Sequence, residues 1–305
     1  LNNNEVDFRV SILPSSHGEK VALRVLDKTA AMLDIERLGF EKDSVEVMIK
    51  CISRPHGMIL VCGPTGSGKT TTLYALLKHV HDPKKNLITV EDPVEFQLQG
   101  INQVTVKSEV GLTFASSLRS ILRQDPDVIM IGEIRDFDTV DIAIKSALTG
   151  HLVLSTLHTT TACGSVVRLV NMGVEPFLIS ASVVGIVAQR LIRKLCPKCK
   201  EPYEPLESLI TKLKIDPSKK KITFYRPKGC EQCLNMGYSG RVGISEILSM
   251  SQSIKEMVLK KAREHEIKDQ ARKEGMRTLR EDGMIKVLQG ITSLEEILRV
   301  TIEDE

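Results

Sequence analysis

A short apolar stretch, Met58 to Cys62, runs straight into Gly63-Pro64-Thr65-Gly66-Ser67-Gly68-Lys69-Thr70, and a helical pattern takes over from Lys69. The eight residues match G-x-x-x-x-G-K-[ST] at every position, in the strand-to-helix setting that gives the motif its meaning. Glycines let the backbone wrap around phosphates with its N–H groups pointing inward, and the positive end of the following helix adds to that field. Lys69 then reaches the β/γ-phosphates, Thr70 offers a hydroxyl to Mg²⁺, and Thr71 adjoins them as a further candidate nucleotide contact. A glycine-rich turn that merely links strand to helix is the plainer alternative, and the full match in context sets it aside.

The same loop demands a sheet to carry it, and the sequence supplies one. Apolar runs at Met58–Cys62, Asn86–Glu91, Val128–Ile131 and His151–Ser155 alternate with helical stretches at Lys69–His79, Thr113–Arg123, Thr139–Leu148 and Ala162–Asn171. Such alternation predicts an α/β fold with a mostly parallel sheet and crossover helices. Upstream, Val6–Leu13 and Lys20–Leu26 alternate around Pro14-Ser15-Ser16-His17-Gly18 and read as a β-hairpin, and Asp43–Ile52 has helical spacing. A lone hairpin is not a domain, and position 1 is Leu, so Leu1 is expected to be a boundary with further chain upstream. Past Cys196 the texture turns to Cys, Pro and Lys, with a short hairpin expected around Ile222–Arg226, and Ser253–Val300 returns to charged amphipathic helices.

Two acidic sites follow the loop. Glu91, Asp92 and Glu95 end the second apolar run, at the sheet edge where doubly wound folds bind ligands, and are candidates to orient or deprotonate an attacking water; a solvated acidic turn is the alternative. Glu133, at the end of Val128–Ile131, is placed to hold Mg²⁺ beside Thr70. His151 and His158 bracket the next run seven residues apart, so strand alternation puts them on opposite faces. His158 is a candidate to sense the γ-phosphate or bridge to the acidic turn, His151 to face a neighbouring subunit, and an ordinary structural histidine fits either.

Composition narrows the remaining classes. A length of 305 residues suggests about two domains. The net charge is only +3 and aromatics make up 4% with no Trp, which offers little to nucleic-acid binding. The longest apolar run, Phe177–Ala188, is shorter than the roughly 20 residues of a membrane span. Seven cysteines and no signal peptide favour a reducing, cytoplasmic setting. Cys196-x-x-Cys199 and Cys230-x-x-Cys233 make two knuckles 30 residues apart, a spacing that suits a structural four-thiolate Zn²⁺ site better than redox chemistry. Cys51, Cys62 and Cys163 sit in apolar stretches as small core residues.

Together, Gly63–Thr70, the Glu91-Asp92-Pro93-Val94-Glu95 box, the run from Leu122 to Asp136, the box from Gly150 to Thr159 and the four Cys closely resemble the ATPases of type II secretion and type IV pilus assembly. The resemblance implies a RecA-like P-loop domain at 43–195, a tetra-Cys zinc subdomain at 196–240, a C-terminal helical region at 241–305, a linker at 29–42, and at 1–28 the tail of a second, α+β N-terminal domain. It implies a hexameric, cytoplasmic, Mg²⁺-dependent ATP-hydrolysing motor. Its expected partners are an inner-membrane platform protein and a cytoplasmic adaptor, with no direct membrane span and no nucleic acid. Carried over by position, Lys69 and Thr70 bind phosphate and Mg²⁺, Glu133 supports Mg²⁺, Glu95 is the general base, and Arg9 and Arg24 close over the nucleotide. The cysteines favour assembly or secretion, because the pilus retraction motors resemble this core without the knuckles. One departure is local: Thr160-Thr161-Ala162 stands where the family usually shows Asn-Asp-Ala after the histidine.

Two other classes share part of the pattern. A RecA-like nucleic-acid translocase would carry the same loop and add a basic face, and a non-hydrolysing nucleotide scaffold would keep the loop without the acids.

Overall fold

The computed structural model describes residues 6–27, 34–204 and 223–301. The alternating opening segments pair over their whole length as β1 (Val6–Ser15) and β2 (Gly18–Asp27), an antiparallel hairpin separate from the main sheet. Its apolar side chains, among them Phe8, Ile12, Leu23 and Val25, are at least half exposed.

The sheet that carries the phosphate loop has seven strands. Four are the expected ones, β3 (Gly57–Cys62), β4 (Leu87–Glu91), β6 (Val128–Ile131) and β7 (Leu152–Leu157), each buried along its whole length. Two more are parallel to them, the edge strand β5 (Asn102–Thr105) and the long β8 (Val183–Leu195). The short β9 (Glu201–Tyr203) and β10 (Phe224–Arg226) pair with each other near the cysteines. The last, β11 (Tyr238–Ser249), joins the main sheet antiparallel to β8, giving the order β11-β8-β3-β7-β6-β4-β5.

Alternation along the strands sends side chains to two cores. Met58, Leu60, Val90, Ile131 and Val153 face one side, and Ile59, Val61, Leu87, Met130 and Leu154 the other. The second face is covered by α1 (Lys42–Ile52) and α2 (Lys69–Val80). The first is covered by α3 (Phe114–Ile121), α4 (Phe137–Leu148), α5 (Ala162–Asn171) and α6 (Pro176–Ser182), and then by α7 (Gln252–Leu259) and α8 (Glu264–Lys273). This is the α/β architecture predicted above.

The region from 241 onward is not helical throughout, because its first residues are the body of β11. The apolar run Phe177–Ala188 likewise divides, into α6 and the start of β8. Both changes meet in one strand pair. β8 is buried from Val183 to Ala188, and β11 runs along it with Ile247 opposite Val187, Ile244 opposite Arg190 and Val242 opposite Ile192, a half-buried pleated setting that suits β-branched residues. Close packing fixes the far side of this strand: a Cβ at Gly243 would lie 2.7 Å from the Phe40 ring and 3.0 Å from the Leu38 carbonyl.

β8 and β11 overrun the sheet. Pairing of β3 with β8 ends at Cys62 and Ala188, whereas β11 follows β8 to Leu195. Over this overhang lies a third core of Ile192, Phe224, Ile244, Leu279, Val287 and Ile297, formed with α9 (Leu279–Leu288) and α10 (Leu294–Val300). Glu296 locks it: its fully buried carboxylate accepts from the Arg193 backbone N–H at 3.0 Å and from the Arg193 and Arg299 guanidinium groups at 2.7 to 3.0 Å.

Burial pushes the Glu296 carboxyl up, but the hydrogen bonds from Arg299 and Arg193 outweigh it and pull it to about 2. A carboxyl lowered on folding contributes stability above its unfolded value and loses it as pH falls through the folded value. With screening by the half-exposed arginines, that contribution is about 2 kcal/mol. Chemical denaturation should therefore show Glu296→Gln destabilised by about this much at pH 7. The gap to the parent protein should close between about pH 5 and pH 2.

Candidate nucleotide-binding cleft and cysteine cluster

At the carboxyl ends of β3, β4, β6 and β7 lies a cleft of about 490 Å³. Thr65, Gly66, Gly68, Lys69, Thr70 and Thr71 form one wall, and Glu91, Glu95, Glu133 and His158 face them. All ten were singled out from the sequence. The remaining loop residues, Gly63, Pro64 and Ser67, support that wall from behind. Lys69 Nζ donates to the carbonyls of Gly63 at 2.8 Å and Pro64 at 3.1 Å, so the loop holds its own cation in place. Burial pulls the Lys69 ammonium below the ordinary lysine range.

The loop needs glycine where it does for steric reasons. Gly63, Gly66 and Gly68 have φ of 151°, 79° and 90°. A Cβ on Gly63 would come within 2.6 Å of the Gln189 carbonyl on β8. From the same residue Gln189 Nε2 donates to the Ser67 carbonyl at 2.8 Å. The overhanging strand thus braces the phosphate loop.

Glu133 stands where β6 ends. Its carboxylate accepts from Arg135 Nη2 at 2.5 Å and bonds to His158 Nε2 at 3.0 Å. Burial raises its carboxyl, yet the Arg135 and His158 contacts prevail and hold it below the usual carboxylate range. Just before it, Thr156 Oγ1 donates to the Gly132 carbonyl at 2.7 Å, tying β7 to the β6 end. His158 therefore bridges to Glu133, not to the acidic turn.

The acidic turn divides by burial. Glu91 is 3% exposed, at the end of β4, whereas Asp92 is exposed and Glu95 half-buried on the cleft rim. The solvated-turn alternative fits Asp92 alone.

His151 lies at the opposite end of β7, where its Nδ1 sits 2.9 Å from the Ser146 carbonyl at the C-terminus of α4. The strand separates it from the cleft, and its contacts are structural. The Thr160-Thr161 departure builds a helix start: Thr161 Oγ1 accepts from Gly164 N–H and donates to Glu264 at 2.5 Å, and the Thr160 carbonyl accepts from Arg190.

Arg9 and Arg24 are direct partners across the hairpin, and among the described residues Arg9 does not line the cleft. The Arg9 side chain is exposed, and that of Arg24 lies outside the described residues. Sequence reasoning missed Tyr74, Phe96, Arg135, Leu191 and Arg241, which also line the cleft. Arg135 alone had a local signal, being two residues beyond Glu133. The others arrive through tertiary packing.

The four cysteines meet. Their Sγ atoms all lie within 4.8 Å of one another, with pairs at 3.7 to 3.9 Å. A sulfur tetrahedron around an ion at about 2.3 Å has edges of about 3.8 Å, whereas a disulfide is about 2.05 Å. The chemistry and spacing of the donors fit a metal such as zinc. Backbone N–H groups of Cys230 and Gly237 donate to Cys233 Sγ at 3.2 Å, the contacts that favour a thiolate. Burial opposes them, and the net effect lowers the Cys233 thiol to about 7.

A model of the family described as Type II/IV secretion system protein matches residues 1–299. The chain belongs to this family. It is similar to type II secretion system protein E of Pseudomonas aeruginosa, 50% identical over 304 residues covering 100% of this chain and 60% of that one. It is equally similar to the type IV pilus assembly ATPase PilB of Myxococcus xanthus, 51% identical over 302 residues, 98% of this chain and 53% of that one. This secretion-family chain therefore spans between half and two thirds of the length of these relatives. Its fold is similar to the crystal structure of the pilus retraction motor PilT with bound ADP, at a TM-score of 0.71 and 27% identity, covering 97% of this chain and 74% of the other. No described helix is long and apolar enough to cross a membrane.

Metal analysis of the purified protein should return about one ion per chain at the four thiols. Cys199→Ser should lose it, together with a drop in melting temperature, and a strong chelator should reproduce that loss in the parent protein.

Proposed function

We propose that the chain is the motor portion of a type II secretion or type IV pilus assembly machine, hydrolysing ATP as a Mg²⁺-dependent homohexamer. The observation that carries this reading is the convergence in one cleft of Lys69 and Thr70, Glu133 and Glu95, in a chain half identical to relatives of both kinds.

Each residue has a role its setting supports. The inward-facing backbone of Gly63–Gly68 cradles the phosphates, with Pro64, Thr65 and Ser67 filling the turn and Thr71 adjoining them. Lys69, drawn off the Gly63 and Pro64 carbonyls, neutralises charge on the β/γ-phosphates. The Thr70 hydroxyl and the Glu133 carboxylate are the oxygen donors that would hold Mg²⁺, and the ion when bound supplies neutralisation of phosphate charge. Arg135 and His158 keep Glu133 ionised and oriented for that task. Glu95 accepts the proton of the attacking water, from a position on the rim that leaves room for it. Glu91, on the wall facing the loop, is a further carboxylate on the nucleotide side of the cleft.

Arg9 and Arg24 complete the cleft when the hairpin of one subunit closes on a neighbour, which suits the forked recognition of phosphate by arginine. Zn²⁺ is the ion that suits four closed thiolates, in a structural role. The partners that follow are an inner-membrane platform protein and a cytoplasmic adaptor, which place the motor at the cytoplasmic face of the membrane without a span of its own.

ATP turnover and fluorescent-nucleotide binding, measured on the full-length hexamer, test this reading. Lys69→Ala should lose both. Glu95→Gln should retain binding and lose about 10²–10⁴-fold in turnover. Unchanged turnover in Glu95→Gln would remove it as the base.

A further inference from the structure

Glu91 is buried at 3% exposure, and its carboxylate is met by three neutral donors. Tyr74 Oη donates to Oε2 at 2.5 Å, and Thr89 Oγ1 and Gln103 Nε2 donate to Oε1 at 2.5 and 3.0 Å. One of these donors reaches further, into the loop that carries Glu95. Gln103 Nε2 also donates to the Phe96 carbonyl at 3.0 Å, while its Oε1 accepts from the Leu98 N–H at 2.6 Å. Residues 96 to 98 are thus clamped by Gln103, and Tyr74, which lines the same cleft as Glu95 and Phe96, joins that clamp through the Glu91 carboxylate.

These two partners of Glu91 come from different elements. Tyr74 stands on α2, five residues beyond Lys69, and Gln103 on the edge strand β5. Glu91, at the end of β4, is the rigid hub between them. We infer that Tyr74 and Gln103 are positioning residues for Glu95, fixing it relative to the phosphate-binding end of α2 through the buried Glu91 carboxylate.

This inference rests on the reading of Glu95 as the base. A carboxylate on a rim loop has no precise location of its own, and a misplacement of about 1 Å costs on the order of 10²-fold in rate. The Tyr74–Glu91–Gln103 chain solves this by tying the loop that carries the base to the helix that begins at Lys69. Glu91 suits the hub because a carboxylate only accepts, whereas an amide in its place would turn N–H groups toward donors.

The test uses the full-length protein, with kcat and KM for ATP, Kd for fluorescent ADP and thermal melting measured for Tyr74→Phe and Gln103→Ala. Each should lower kcat by about 10- to 100-fold while KM and Kd stay within about threefold. Placed in Glu95→Gln, either change should lower the residual rate by less than about twofold, because nothing is left to position. Wild-type kcat in both single variants would overturn the inference. So would a parallel loss of ADP binding, which marks general distortion of the cleft, or an undiminished effect in the Glu95→Gln background. Wild-type turnover in Glu95→Gln alone would remove the base itself and the positioning role with it, a failure visible before any second change is made.

Discussion

The approach of Gly63 to the carbonyl of Gln189 is the contact on which the rest of the site is built. It leaves no room for a Cβ, so only glycine allows the loop to turn there, and the Gln189 amide secures the turn by holding the Ser67 carbonyl. Because Gln189 is the first residue of β8 beyond its pairing with β3, the loop is braced by a strand already leaving the parallel sheet. The carbonyls of Gly63 and Pro64 are then free to hold Lys69, and α2 begins at the point where its positive end meets the cleft.

Around that loop the cleft sorts its acids by partner. Glu133 is held by two basic side chains and stays ionised against burial. Glu91 is buried deeper, among neutral donors that fix its direction without neutralising it. Glu95 is half-buried on the cleft rim. These three environments match the roles proposed for them, metal support for Glu133, a structural hub for Glu91 and proton acceptor for Glu95.

How much of this was readable from the chain depends on the range of the interaction. Gly63–Thr70 carries its geometry locally, in glycine positions and a helix start, so motif and structure agree. Strands β3, β4, β6 and β7 were legible because burial on both faces leaves continuous apolar runs. β5 and β11 were not: Asn102–Thr105 is a short, partly polar edge, and Tyr238–Ser249 becomes a strand only through pairing with β8. The same holds within the site. Glu133 and His158 had signals in their own segments, but their 3.0 Å contact spans 25 residues. Nothing near Tyr74 or Gln103 in sequence points to Glu91; the sheet order, which places β5 beside β4, brings Gln103 to it, and the packing of α2 on the sheet brings Tyr74. The cysteines are the intermediate case, since the knuckles declare themselves while the fold must close the gap between them.

The overhang of β8 and β11 has a mechanical consequence. Up to Ala188, β8 is paired on both sides and belongs to a stiff sheet, whereas from Gln189 to Leu195 it is paired with β11 alone. Two-stranded ribbons tolerate wider twist than strands inside a sheet. This ribbon carries Leu191 and Arg241 on the cleft wall, Arg193 in the Glu296 lock, and Cys196 immediately beyond its end. The ribbon is therefore the only strand pairing that joins the brace of the phosphate loop at Gln189 to the α9–α10 core among the described residues, and the Glu296 carboxylate secures its far end by bonding the backbone as well as the side chain of Arg193.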